Sequence, residues 1–306
     1  MQFTGYLAIH DFNQELEKEF EVRGVKIHEK KDRVYLVEGD GPDMIWAQMT
    51  ARNLEKIAIT SINDGTKKLK ERGRNWGLFT VSNHRRAQLI QDELPKFNTK
   101  PIPFRHPIPS GPMGFWTLWD TNEILATQTT SSPFALGEMD FLEDKVMPPS
   151  RAYLKLWEFF TVYAPEAVHG GTAIDVGSCP GGWTWVLRTL EFDKTYSVDK
   201  APIEKRIMDL GQIEFRKESA FGLDPKDFGE IEWFCSDIIC YPERLLTLVK
   251  KFLAAGTVKN FVCTIKYQAE TDWENTLKFL EIPGSRIVHL HHNKHEVTWF
   301  LKGANS

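Results

Sequence analysis

The sequence holds no run of about 20 apolar residues, so no helical membrane span is expected. Its first residues, Met1 to His10, lack a basic region followed by a long apolar core. No secretory signal is read there, and the chain is expected in the cytoplasm. Cysteine is scarce: Cys179, Cys235, Cys240 and Cys263, with no C-x-x-C pair. Each stands in or beside an apolar, strand-like segment, so buried free thiols are expected rather than a disulfide framework or a zinc site. There is no internal repeat and no low-complexity run. Charge of one sign is in little excess, the net charge being -4, which excludes a chain coated all over by nucleic acid.

What is present is organised around Thr172-Ala-Ile-Asp-Val-Gly-Ser-Cys-Pro-Gly-Gly-Trp-Thr-Trp-Val-Leu-Arg-Thr-Leu190. Ala173, Ile174 and Val176 form a short apolar run, as in a strand covered on both faces. Gly177, Gly181 and Gly182 allow a sharp turn and a close approach of backbone to ligand. Trp183 to Leu190 carries apolar residues at helical spacing. The pattern is neither G-x-G-x-x-G nor G-x-x-x-x-G-K-[ST], and no Lys-Ser or Lys-Thr follows the glycines. Its acid, Asp175, precedes the first glycine, where it suits a cationic or hydroxylated ligand better than a phosphate. The methionine and ribose parts of S-adenosyl-L-methionine fit that description. A ligand is expected in the crevice outside the strand's carboxyl end.

The 306 residues suffice for two domains of roughly 150 each. Residues 1–145 read as a small α/β domain followed by a proline-rich connector. Strands are expected at Phe3–Ile9, Val25–His28, Arg33–Glu38, Ile57–Ile62 and Trp76–Val81. Asp11 is expected to cap a helix running to Arg23, and Asn63-Asp-Gly65 to end a strand. Between Arg52 and Arg105 stand twelve lysines and arginines against five acids. Lys67, Lys68, Lys70, Arg72, Arg74, Arg85 and Arg86 are the candidate RNA-binding residues, with Trp76, Phe79, Phe104 and Trp116 as aromatics on which bases could stack. Pro101, Pro103, Pro107, Pro109 and Pro112 punctuate the connector.

Residues 146–306 alternate strand and helix in a regular way, the pattern of a Rossmann-like sheet. Ser150 is expected to cap the first helix. Strands close on Asp199, Asp237 and Lys266, and another ends before Lys217-Glu-Ser219. Asp199, some twenty residues beyond the glycines, is set to take ribose hydroxyls. The polar candidates Asp175, Asp199, Asp237 and Lys266 all fall at or near carboxyl ends of strands.

Ser150-Arg-Ala-Tyr-Leu-Lys-Leu-Trp-Glu158, Asp175-Val-Gly-Ser-Cys-Pro-Gly-Gly-Trp183, Cys235-Ser-Asp237, Thr264-Ile-Lys266 and His295-Glu-Val-Thr298 together resemble the FtsJ/RrmJ-type ribose 2′-O-methyltransferases. Asp237-Ile-Ile-Cys-Tyr-Pro-Glu-Arg244 and the His-rich approach to Glu296 favour the branch that acts on large-subunit ribosomal RNA. The likeness covers residues 148–302 and reaches weakly into the N-terminal part, where that branch carries a THUMP-containing RNA-binding region. It implies a class I methyltransferase domain with an N-terminal α/β, THUMP-like accessory domain. It implies S-adenosyl-L-methionine as cofactor, RNA as partner, and a catalytic set at Lys155, Asp237, Lys266 and Glu296.

A ribose hydroxyl is a poor nucleophile, and a lysine serves as its base only with a lowered pKa. Lys155 beside Lys266 is expected to supply that lowering, with Asp237 and Glu296 orienting the ammoniums. The cofactor set is Asp175, Gly177, Ser178, Pro180, Gly181, Gly182, Trp183 and Asp199. The family's adenine-contacting aspartate aligns with Ser219, beside Glu218, which leaves both as candidates. No metal is expected at His289, His291, His292 and His295. Two other readings stay open: 2′-O-methylation of transfer or other RNA, and a non-catalytic RNA-binding protein on a methyltransferase fold.

Overall fold

The computed structural model describes residues 2–97, 100–111, 113–167 and 170–304, so Pro112 of the proline-rich stretch lies outside it. The chain divides into two compact units. The first is Met1–Ile102 with Ile108–Phe141, and the second is Pro103–Pro107 with Leu142–Ser306.

The first unit is built from β1 (Phe3–Ala8), α1 (Asn13–Val22), β2 (Glu29–Lys31), β3 (Val34–Glu38), β4 (Ala47–Ala58), α2 (Ile62–Arg72), β5 (Trp76–Leu78), α3 (His84–Asp92), β6 (Gly114–Asp120), β7 (Glu123–Thr127) and β8 (Thr129–Thr130). The strands run in the order β2-β3-β1-β4-β7-β6-β5, with β8 beside β4. One core gathers Leu69, Ala87 and Ile90 of the helices against Trp76, Trp116 and Leu118 of the sheet. Another gathers Phe3, Leu7, Leu36, Met49, Phe115 and Trp119.

Local chemistry moved several expected boundaries. Asp11 does not cap α1: it has φ +67, and Phe12 takes the cap position with no side-chain bond. Val25–His28 is not a strand. Lys31 pairs with Val34, so the hairpin turns on Asp32 and Arg33. Asp32 supplies the left-handed residue at φ +53 that a two-residue turn needs. Asn63-Asp-Gly65 lies inside α2 rather than in a turn. There Ser61 accepts from the Asp64 amide, and the Asp64 carboxylate accepts from the Thr60 amide, a reciprocal cap.

The second unit contains α4 (Tyr153–Val162), β9 (Thr172–Val176), α5 (Gly182–Thr189), β10 (Lys194–Asp199), α6 (Lys205–Met208), β11 (Ile213–Lys217), β12 (Ile231–Ser236), α7 (Pro242–Ala255), β13 (Val258–Lys266), α8 (Trp273–Leu280), β14 (Arg286–Val288) and β15 (Glu296–Leu301). Ser150 is not the cap of α4, whose cap position is Ala152. The sheet order is β11-β10-β9-β12-β13-β15-β14. Neighbours from β11 to β13 pair in parallel, and β15 runs antiparallel to both β13 and β14. Chain order reverses direction between β9 and β12, which makes their carboxyl ends the crevice where an open α/β sheet binds ligands. Phe104 packs against Trp157 at 4.1 Å between ring centres, the rings tilted by 55°, and Arg105 reaches Glu191 at 3.9 Å, both within this unit.

Candidate active site

Four charged side chains converge at that end of the sheet. Lys155, on the first turn of α4, is only 7% exposed and is clamped between Asp237 Oδ1 at 2.6 Å and Glu296 Oε1 at 3.0 Å. Lys266 Nζ donates to the Asp237 carbonyl at 2.6 Å and lies 3.2 Å from Asp237 Oδ1. Strand pairing supplies the geometry. Lys266 ends β13 and Glu296 begins β15, and the antiparallel register sets them directly opposite each other. Asp237 follows the last residue of β12, next to β13.

Burial works to lower the Lys155 ammonium, yet the Asp237 and Glu296 carboxylates outweigh it and hold it above the ordinary lysine value. Lys155 is therefore a fixed cation at neutral pH. Asp237 is shared, because one oxygen faces both lysines and its carbonyl aims Lys266. The arrangement sets two lysines beside a crevice and supplies the two carboxylates that let them be partly buried.

The glycine loop lies between β9 and α5. Gly177 has φ +84, and a Cβ there would fall 2.8 Å from the backbone of Ile238, the residue after Asp237. The glycine is what lets the two strand ends approach. Gly181, at φ +115, is the cap residue of α5, and a Cβ on Gly182 would meet Ser150 Oγ at 3.0 Å. Pro180 follows a cis peptide bond. Ser178 is buried, and its hydroxyl has no hydrogen-bond partner. Asp199 accepts from the Cys179 amide at 3.1 Å and the Ala201 amide at 2.9 Å, one on each oxygen, which leaves acceptor capacity on both. An orphaned hydroxyl and a half-satisfied carboxylate beside a helix N-terminus fit a ligand bearing hydroxyls and an amino acid moiety.

Other members of the expected set face elsewhere. Asp175 is fully buried under α5, with Oδ2 accepting from Thr184 Oγ1 at 2.7 Å and Oδ1 unpartnered. Burial pushes its carboxyl up to about 7. Trp183 is buried too, and its indole donates to the Ala152 carbonyl at 3.0 Å. Glu218 is exposed and Ser219 half-buried, just beyond β11.

Two residues that sequence reasoning passed over support the cluster. Glu158, one turn after Lys155 on α4, is fully buried. Its carboxylate accepts from the His291 amide at 2.7 Å, the His292 amide at 3.3 Å and His292 Nδ1 at 3.1 Å. Asn293 donates to Glu296 Oε1 at 3.3 Å and accepts from the Leu290 amide and Thr298. Spacing Lys155 and Glu158 at i, i+3 on one helix face was the available signal. Among the described residues, no group of three or more His, Cys, Asp or Glu is arranged to hold a metal ion.

In the first unit, the cationic residues lie on α2 and α3, except Arg74, which follows α2. Lys67, Lys70, Arg72, Arg74 and Arg85 are exposed, and Lys68 and Arg86 are half-buried. Several are neutralised locally: Lys68 by Asp64 at 3.0 Å, Arg72 by Glu55 at 3.0 Å and Lys67 by Glu71 at 3.9 Å. The basic segment is thus a partly paired surface rather than a continuous cationic face. Among the described residues no helix is long and apolar enough to cross a membrane.

Residues 148–268 match the family of FtsJ-like methyltransferases. The chain is 29% identical over 190 residues to the Ribosomal RNA large subunit methyltransferase M of Stenotrophomonas maltophilia, covering 57% of this chain and 52% of that one. It is 31% identical over 152 residues to the protein of the same name from Escherichia coli O1:K1, covering 48% and 41%. The chain thus spans about half the length of the curated relatives it matches. The crystal structure of an rRNA methylase from Streptococcus thermophilus is similar over 45% of this chain and 90% of its own. Its TM-score is 0.34 and its identity 14%, too low to carry an argument. Within the second unit, residues 148–268 thus match an FtsJ-like methyltransferase, and the first unit is an α/β unit.

Proposed function

We propose that this chain, FtsJ-like over residues 148–268, methylates a ribose 2′-hydroxyl of RNA, with large-subunit ribosomal RNA as its substrate. The observation that carries the reading is the Lys155–Asp237–Lys266–Glu296 cluster at the carboxyl end of the sheet. The ribosomal substrate is drawn from the relatives' names. The accessory unit contributes RNA affinity through the exposed Lys67 and Lys70 of α2, Arg85 of α3 and Arg74, just past α2.

When bound, S-adenosyl-L-methionine supplies an electrophilic methyl group. Asp199 holds the ribose hydroxyls of that ligand, and the Gly177–Gly182 loop with Ser178 takes its amino acid end. Lys266, aimed by the Asp237 carbonyl, meets the 2′-oxygen of the substrate and takes its proton as that oxygen bonds to the methyl carbon and the carbon–sulfur bond breaks. Lys155 stays protonated, keeps Asp237 and Glu296 in place and adds a fixed positive field. The remaining work is alignment, since a methyl transfer needs oxygen, carbon and leaving group in line.

The test is mass-spectrometric mapping of ribose methylation in total RNA from cells with and without the gene, complemented by wild type or Lys266→Ala. The expected result is one ribosomal 2′-O-methyl lost without the gene and restored by wild type alone. Transfer in vitro by Lys266→Ala should fall by about 10²–10⁴-fold, the usual worth of a positioned proton-transfer group. An unchanged ribosomal map sinks the substrate, and full activity in Lys266→Ala sinks the mechanism.

A further inference from the structure

The segment that leaves the active site, Ile238 to Tyr241, has an alternation that packing within the unit does not explain. Ile238 turns in over Gly177 and Cys240 is buried, whereas Ile239 is 79% exposed and Tyr241 61% exposed. Ile239 is the most exposed large apolar side chain among the described residues. The exposure does not come from a loose loop. Lys266 holds the Asp237 carbonyl, the Tyr241 carbonyl accepts the Arg244 amide at 3.0 Å, and the Arg244 guanidinium packs 3.9 Å above the Phe221 ring. Pro242 then starts α7. A rigid backbone thus presents an aliphatic and a phenolic side chain to water, two and four residues past Asp237.

We infer that Ile239 and Tyr241 form a shelf on which a base of single-stranded RNA, neighbouring the reacting ribose, stacks. The inference deepens the methyl-transfer reading and rests on it. Three features favour a nucleobase over a protein surface. The patch is two side chains wide, which suits one flat ring. It follows directly on Asp237, whose carbonyl Lys266 holds, and ends at the exposed Arg244, a cation matched to a flanking phosphate. Finally, an aromatic platform accepts any base face, and placing the base there holds its own ribose or the next one at Lys266.

The experiment titrates the full chain into a short single-stranded RNA carrying one 2-aminopurine, and measures KM and kcat on transcribed ribosomal RNA. Variants are Tyr241→Ala, Tyr241→Phe, Ile239→Ser and, as an exposed apolar control, Leu210→Ser. We expect Tyr241→Ala to weaken RNA binding and raise KM by about tenfold. Tyr241→Phe should retain both binding and the base's quenching, and Leu210→Ser should match wild type. Equal RNA affinity and KM for wild type and Tyr241→Ala overturn the shelf while leaving methyl transfer standing. Shelf-dependent binding with no transfer by wild type overturns the methyl-transfer reading and leaves the shelf. A loss seen only in self-association, measured by sedimentation, assigns the patch to a second copy and also overturns the shelf.

Discussion

Each unit buries one glutamate on its first helix and uses it to grip a distant loop by two consecutive amides. In the first unit, Glu19 of α1 takes the amides of Ile45 at 2.9 Å and Trp46 at 3.0 Å. In the second, Glu158 of α4 takes those of His291 and His292. The two clasps differ in their third partner. Glu19 has the Arg23 guanidinium at 3.0 Å, one turn along its own helix, whereas Glu158 has an imidazole from the loop it grips. The first clasp is local and serves the fold. The second ties α4, which carries Lys155, to the loop that leads through Asn293 to Glu296. One device does structural work in one place and sets catalytic geometry in the other.

The largest expected effect comes from breaking both clasps. Glu19→Ala should cost about 3 kcal/mol or more, since it strands the buried Ile45 and Trp46 amides, and Glu158→Ala about 1–3 kcal/mol, since the His291 and His292 amides it leaves are only partly buried. Urea unfolding followed separately for each unit reads this loss. Only Glu158→Ala should also lower kcat in protein verified as folded. Equal residual activity in the two variants would erase the distinction.

A third buried acid sharpens the contrast. Asp175 has neither amide pair nor cation, only Thr184, and its carboxyl sits near 7. The folded chain keeps a proton there that the unfolded chain has lost above about pH 4. Asp175 therefore favours folding at low pH, and that contribution is lost as pH rises toward 7. Asp175→Asn should remove the slope, gaining on wild type at pH 8 relative to pH 5 in thermal unfolding. Parallel profiles would refute the assignment.

The smallest effect belongs to a half-buried pair on a helix surface. Lys68→Ala breaks the Asp64 contact on α2 and should change stability by less than about 0.5 kcal/mol. Because Asp64 already neutralises Lys68, the salt dependence of RNA binding should match wild type, whereas Lys70→Ala should make it shallower. A stability loss as large as that of Glu19→Ala would contradict the view that burial makes the difference.

The second unit was legible because its polar residues stand where strands stop. Asp199, Asp237 and Lys266 each end an apolar run, and Asp272 caps α8 by accepting from the Asn275 amide. The first unit was less so. Most of the twelve-residue β4 escaped notice because Gln48, Arg52, Asn53 and Glu55 make it read as polar, although Met49, Ala51 and Leu54 are buried. For Glu158 the i, i+3 spacing marks the helix face it shares with Lys155 but not its partners, since the amides it accepts from lie more than 130 residues away and no local pattern encodes a partner at that separation.

The pairing of Lys266 with Glu296 carries one more consequence. Their alignment comes from the ladder between β13 and β15, not from the length of chain joining them. The outer turn at Glu281–Ser285 could therefore be opened to create new ends, or lengthened to carry a foreign module. The ladder would still set the two charges face to face, so the place most tolerant of surgery lies on the very connection that closes the site.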